Sequence, residues 1–105
     1  MADPTFVKKV DEQVKANPVM IYMKGSPDSP MCGFSARAVA VLREAGATKM
    51  GSVDVLQDDA LWDALEEYSK WPTVPQIFIN GQFVGGCDII SEMHETGELT
   101  KLLHG

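Results

Sequence analysis

Cysteine is scarce in this chain: Cys32 and Cys87 are the only two in 105 residues. Two cysteines in unrelated contexts cannot make the multi-disulfide framework of a small secreted protein. Basic residues are in deficit as well, nine Lys and Arg against fifteen Asp and Glu, for a formal net charge of −6. The acids are spread along the chain instead of gathered in a tail. This reads as solubility and argues against a binder of nucleic acid or of an anionic membrane, both of which need a basic face. No apolar run is long enough for a membrane span. The start, Met1-Ala2-Asp3-Pro4, shows neither a charged-then-apolar signal nor an Arg-rich amphipathic leader. Repeats and low-complexity segments are missing too. What is present is ordinary: 45% hydrophobic and 23% charged residues, in a length that fits one domain over residues 1–105. A domain of this size buries a core without needing disulfide staples.

Asp3-Pro4 predicts a helix start, with Asp3 as N-cap and Pro4 in the first helical position. Phe6, Val7, Val10 and Val14 then share one face, and Asn17-Pro18 ends the element. Val19-Met20-Ile21-Tyr22-Met23 is an apolar run of strand length, as in a buried sheet. Residues 24–31 carry Gly25, Pro27 and Pro30 and read as a loop. A second helix opens at Cys32-Gly33 and stops at Gly46. Residues 50–55 read as a second strand, and Asp58-Asp59 opens a third helix holding Leu61, Trp62, Leu65 and Tyr68. Trp71-Pro72-Thr73-Val74-Pro75 breaks that helix. Two strand-like runs, 76–79 and 82–84, flank Asn80-Gly81, a strong hairpin signal. Asp88 is placed to cap a helix with Ile89, Ile90 and Met93, and past Gly97 a short amphipathic segment holds Leu99, Leu102 and Leu103.

The order α-β-α-β-α-β-β-α-α predicts an α/β domain with a four-stranded mixed sheet. Each strand–helix–strand passage predicts parallel neighbours, the hairpin adds an antiparallel edge, and helices cover both faces.

Cys32 stands where a strand and a Pro/Gly loop lead into a helix start. Free backbone N–H groups and the helix dipole favour negative charge there, so thiolate over thiol. Thiolate is the nucleophile and the metal ligand. Lys24 and Arg37 are the cations nearest in sequence. An inert buried cysteine is the bland alternative, and the loop-then-helix position favours the reactive one. Ser35 occupies the place where a Cys-x-x-Cys pair would have its second thiol. No disulfide can therefore form within the motif, and any exchange borrows its second sulfur from elsewhere.

Four blocks now stand in order: Lys24-Gly25-Ser26-Pro27, Pro30-Met31-Cys32-Gly33-Phe34-Ser35, Trp71-Pro72-Thr73-Val74-Pro75-Gln76 and Gly85-Gly86-Cys87-Asp88-Ile89. Together they resemble the signature of the monothiol glutaredoxins of the Cys-Gly-Phe-Ser type, and the resemblance covers nearly the whole chain. It implies a thioredoxin-like fold with Pro75 in the cis form. It also implies a glutathione site in which the backbone of Val74, assisted by Thr73, pairs with the cysteine moiety of glutathione. Gly86, Cys87 and Asp88 would take the γ-glutamyl end, and Lys24 would neighbour the thiolate and the glycine end. Free N–H groups at a helix start suit a carboxylate, and Asp88 suits an ammonium as well as an N-cap role. Lys24 taken alone would be a solvated surface charge.

The resemblance further implies a carrier of iron–sulfur clusters. A 2Fe–2S centre takes four ligands, typically thiolates. Two copies of the chain would supply two Cys32 sulfurs and two glutathione molecules the rest, in a cluster-bridged homodimer. BolA-type proteins and iron–sulfur client proteins are the implied partners. The implied place is the mitochondrial matrix in a eukaryotic cell, with a transit peptide absent from this chain, and the cytoplasm otherwise. The competing reading is a glutathione-dependent oxidoreductase, at most a weak one, in which Cys32 attacks a mixed disulfide; Ser35 and the family's usual weakness in reductase assays favour the carrier. Cys87 is read as packing beside the glutathione site in preference to a second redox partner. His94, His104, Trp62 and Trp71 are read as surface or space-filling residues. One departure stands out. Members of the family often place an arginine, or a lysine, before the Trp-Pro block to hold the glycine carboxylate. Trp62 stands at the arginine position, followed by Glu66 and Glu67. This leaves open a thiol with an amidated or cationic glycine end, a glutathione–polyamine conjugate such as trypanothione.

Overall fold

The computed structural model describes residues 2–104. Helix α1 (Pro4–Ala16) begins where the Asp3 carboxylate accepts from the Thr5 N–H over 2.8 Å, an N-cap that satisfies one orphan donor. Strand β1 (Val19–Met23) is buried along its whole length. Helix α2 (Gly33–Glu44) has Cys32 as its N-cap residue, and Gly46 leaves it at a φ of +106°. Strand β4 (Gly51–Asp54), helix α3 (Asp59–Ser69), strands β5 (Gln76–Ile79) and β6 (Gln82–Gly85), and helices α4 (Cys87–Thr96) and α5 (Glu98–His104) follow.

The main sheet has four strands in the order β4-β1-β5-β6. Alternation along β1 divides the core. Val19, Ile21 and Met23 meet Ala38 and Leu42 of α2, Ile90 of α4 and Leu99 of α5. Met20 and Tyr22 face the other way, onto Val10 and Val14 of α1, Leu61 and Leu65 of α3, and Phe78. Helices therefore cover both faces, as expected. Each fully buried Leu or Ile in these layers contributes roughly 1.5–3 kcal/mol. At Asn80-Gly81 both φ angles are positive, 53° and 81°, so the hairpin turns with the twist its strands require.

Four expectations need correction. Residues 24–31 are not a plain loop: β2 (Gly25–Ser26) and β3 (Ser29–Pro30) pair as a small antiparallel ladder. Pro30 is tolerated because this is an isolated edge with no further strand to serve. Gly25, at φ +87°, comes so close to Ser29 O and Met31 N that no Cβ would fit.

The strand expected over residues 50–55 ends at Asp54. The Asp54 carboxylate accepts from the Leu56 N–H over 3.0 Å and turns Val55–Gln57 into a 3₁₀ segment.

Strand β4 is parallel to β1, but β5 is antiparallel to β1, and Gln76 at its start lies opposite Tyr22 near the end of β1. The six residues after α3 can reach roughly 20 Å when extended, enough to return the chain to the end of the sheet where β1 finishes.

Asp88 does not cap α4. Gly86 is the N-cap residue and Asp88 lies in the first turn. Gly85, at φ +150°, and Gly86 let the helix begin earlier, at Cys87, in a place where a side chain on Gly85 would strike Ile89.

Candidate functional site

The ends of β1, α2, β5 and α4 converge on one edge of the sheet. Cys32 is half-buried there with an extended backbone, φ −157° and ψ 141°. Its thiol pKa is lowered from the ordinary value. The main cause is the Ser35 N–H; the Phe34 N–H, the Ser35 hydroxyl and the Lys24 charge add to it, against partial desolvation. No full cap hydrogen bond closes on the sulfur, so these amides act by facing it. Of the two cations nearest in sequence, Lys24 is the one whose charge bears on the thiol. Ser35 is fully buried, and its Oγ accepts from the Lys24 N–H over 3.2 Å. Asp54 holds the same loop from the other side, accepting from the Gly25 N–H over 3.0 Å.

A groove of about 320 Å³ is walled by Thr73, Val74 and Pro75 together with Gly86, Cys87 and Asp88. All six are residues expected at a glutathione site. The Val74–Pro75 peptide is cis. Gly86 approaches so closely that a Cβ there would sit 3.3 Å from Pro75 O. Cys87 is 5% exposed and opens α4, so it is both a packing residue of the core and part of the groove wall. Cys32 and Lys24 are not part of the wall; Phe34, two residues past Cys32, is.

Three wall residues were not expected: Phe34, Trp71 and Ile89, exposed by 63%, 39% and 42%. Trp71 packs on the Phe83 ring at a centroid distance of 5.9 Å and also walls the groove. An apolar side chain on a rim and one in a core look alike in sequence, so only the break at Trp71-Pro72 could have hinted at this. Trp62 packs at the margin of the α1–α3 core, with Lys24 Nζ 5.9 Å from its ring centroid. His94 pairs with Glu44 at 3.4 Å, and His104 Nε2 lies 3.2 Å from Ala45 O. Both therefore tie α4 and α5 to the far end of α2. Among the described residues no three His, Cys, Asp or Glu side chains form a metal centre. No described helix is long and apolar enough to cross a membrane.

Residues 19–84 match the family model described as Glutaredoxin. The chain is 46% identical to Glutaredoxin 4 of Escherichia coli K12 over 99 residues, covering 94% of this chain and 85% of that protein. It is also 46% identical to "Glutaredoxin-related protein 5, mitochondrial" of Danio rerio over 96 residues, 91% of this chain and 62% of the relative. The chain thus spans under two thirds of that longer relative. Among solved structures, the buckwheat glutaredoxin–glutathione complex superposes with a TM-score of 0.83 at 29% identity, covering 95% of this chain and 88% of that one. Relatives named as monothiol glutaredoxins match as well, among them "Monothiol glutaredoxin-S15, mitochondrial" of Arabidopsis thaliana at 53% identity over 94 residues, 90% of this chain and 55% of that protein. With Ser35 in place of a second motif thiol and a thioredoxin-like sheet beneath it, the chain belongs to the glutaredoxin family, among its monothiol members.

Proposed function

We propose that the protein carries 2Fe–2S clusters, held between two copies by the Cys32 thiolate of each and the thiols of two glutathione molecules. The observation that carries this reading is a thiol of lowered pKa at a helix start whose next turn, through Phe34, meets a groove lined by Thr73, Val74, Pro75, Gly86, Cys87 and Asp88, with a buried hydroxyl where a second thiol would be. The Val74 backbone would pair with the cysteine moiety of glutathione, with Thr73 beside it and Pro75 fixing the turn. The N–H groups at Gly86 and Cys87 would receive the γ-glutamyl carboxylate, with Asp88 meeting the ammonium. Lys24 would serve the thiolate and the glycine end. Two ligands not tied to the protein make the cluster labile, which suits transfer to client proteins, and a BolA-type partner could replace one copy of the chain. Relatives named mitochondrial and relatives from bacteria support the mitochondrial matrix in a eukaryotic cell and the cytoplasm otherwise.

The lowered thiol pKa also favours a second reading at the same site. Cys32 thiolate attacks the glutathione sulfur of a mixed disulfide, the client thiolate leaves and takes up a proton, and a second glutathione thiolate then releases glutathione disulfide from Cys32.

Anaerobic assembly with glutathione, iron and sulfide tests the first reading. The visible spectrum of a 2Fe–2S centre is expected, together with a dimer in sedimentation that reverts to monomer when the metal is removed. Cys32→Ser abolishes the absorbance, and Cys87→Ser keeps most of it. Absorbance that survives Cys32→Ser would sink the carrier reading, and its complete loss in Cys87→Ser would make Cys87 a ligand.

A further inference from the structure

Gln76 opens β5 with none of its surface exposed. Its Nε2 donates to the carbonyl oxygens of Trp71 and Thr73, both at 3.0 Å. Its Oε1 is buried without a hydrogen-bond partner. A methionine would fill the same space and strand no oxygen, so filling space does not explain an amide here. What the amide alone supplies is a pair of N–H donors, and both go to the segment that forms one wall of the groove.

That segment's geometry gives those bonds a consequence. In a trans peptide the N–H of one residue points opposite to the C=O of the residue before it. The cis bond in this stretch is Val74–Pro75, so the Thr73–Val74 peptide is trans. Thr73 O is drawn inward onto Gln76, and the Val74 N–H is therefore turned outward, on a residue that lines the groove. Trp71 O, held by the same nitrogen, anchors the segment at a second point two residues earlier.

We infer that Gln76 is a positioning residue for ligand recognition: by clamping Thr73 O it presents the Val74 N–H to the backbone of a thiol peptide in the groove. Gln76 itself touches no ligand. The inference rests on the glutathione reading of that groove and adds the group that aims its central donor.

The test uses the full chain and S-methylglutathione, a thioether that cannot exchange with Cys32. In Gln76→Met without ligand, the Val74 amide resonance should shift or broaden while the Gly86 and Cys87 amides stay in place. Titration should then show binding about tenfold weaker than in the parent, the weight of one hydrogen bond, with an unchanged rate of Cys32 alkylation. Equal affinity of parent and Gln76→Met would overturn the role of Gln76 and leave the glutathione reading intact. A parent that does not respond to S-methylglutathione would overturn that reading, and this role with it. Gln76→Glu gives a second measure should the first variant fold poorly. Its carboxylate repels the two carbonyls, but its protonated form restores one donor, so its affinity relative to the parent should fall as pH rises. A ratio that stays flat with pH contradicts the proposal.

Discussion

The backbone N–H of Lys24 donates to the Ser35 hydroxyl over 3.2 Å, joining the end of β1 to the first turn of the helix that carries the thiol. Ser35 is thus more than the residue left where a second cysteine is missing. Its buried oxygen satisfies a backbone donor in the loop before Cys32, and the same hydroxyl favours the Cys32 thiolate. Lys24, fixed at its backbone by this bond, keeps its charge within reach of the sulfur.

Ser35→Ala should therefore act on both stability and reactivity. Stranding the Lys24 N–H costs about 1–3 kcal/mol, read from urea unfolding. The thiol pKa should rise, because one of the groups favouring the thiolate is gone, though by only part of the full effect since the Ser35 and Phe34 amides remain. The pH dependence of iodoacetamide alkylation measures it. An alkylation profile that superposes on the parent's would show that the hydroxyl is only a loop anchor.

Asp54 supplies a pH dependence of known sign. Its pKa is lowered first by the Gly25 N–H, then by the Leu56 N–H and the Gln57 side chain, against desolvation. A carboxylate whose folded pKa is depressed adds stability above its unfolded pKa, about 4, and loses that contribution as pH falls through the folded value. The group is half-buried and still partly screened by solvent, so the contribution is about 1 kcal/mol or less. Asp54→Asn can still accept both backbone bonds but has no charge to lose. The difference in unfolding free energy between parent and variant should shrink between pH 6 and pH 3, within about that margin. A difference that does not change over that interval contradicts the assignment.

Much of this arrangement was legible in the residues themselves. The five apolar residues of β1, the Asn80-Gly81 turn and the Asp3-Pro4 helix start carry local signals strong enough to stand without tertiary help. Thr73, Val74, Pro75, Gly86, Cys87 and Asp88 were expected together and lie on one groove. What was not legible depends on contacts far apart in sequence. The direction of β5 is decided by how far the segment after α3 can return. The start of α4 is decided by Ile89 crowding Gly85. Gln76 is legible only as the first residue of a strand-like run; its burial and its bonds to Trp71 O and Thr73 O exist only in the folded chain.

The last prediction concerns Lys24 and the Trp62 ring beside it. Lys24 Nζ sits 5.9 Å from the centroid of the Trp62 ring, so the residue at the family's arginine position holds a cation and adds none. Glu66, exposed, and Glu67, half-buried, follow on the same helix. A free glycine carboxylate approaching Lys24 would face a helix that carries acids where the family places cations, a deficit of about 1 kcal/mol or less for exposed charges. A glutathione–polyamine conjugate, whose glycine end is an amide carrying a cation, meets the same groups favourably. Trp62→Arg should therefore strengthen binding of free glutathione a few-fold at low salt, with the gain fading as salt screens it, and should weaken the preference for the conjugate. Clusters assembled with each thiol, at low and high salt, give the comparison through the decay of their visible absorbance. Equal lifetimes with free glutathione and with the conjugate under both conditions, unchanged by Trp62→Arg, would mean that Lys24 alone satisfies the glycine end and that Trp62 has no part in choosing the thiol.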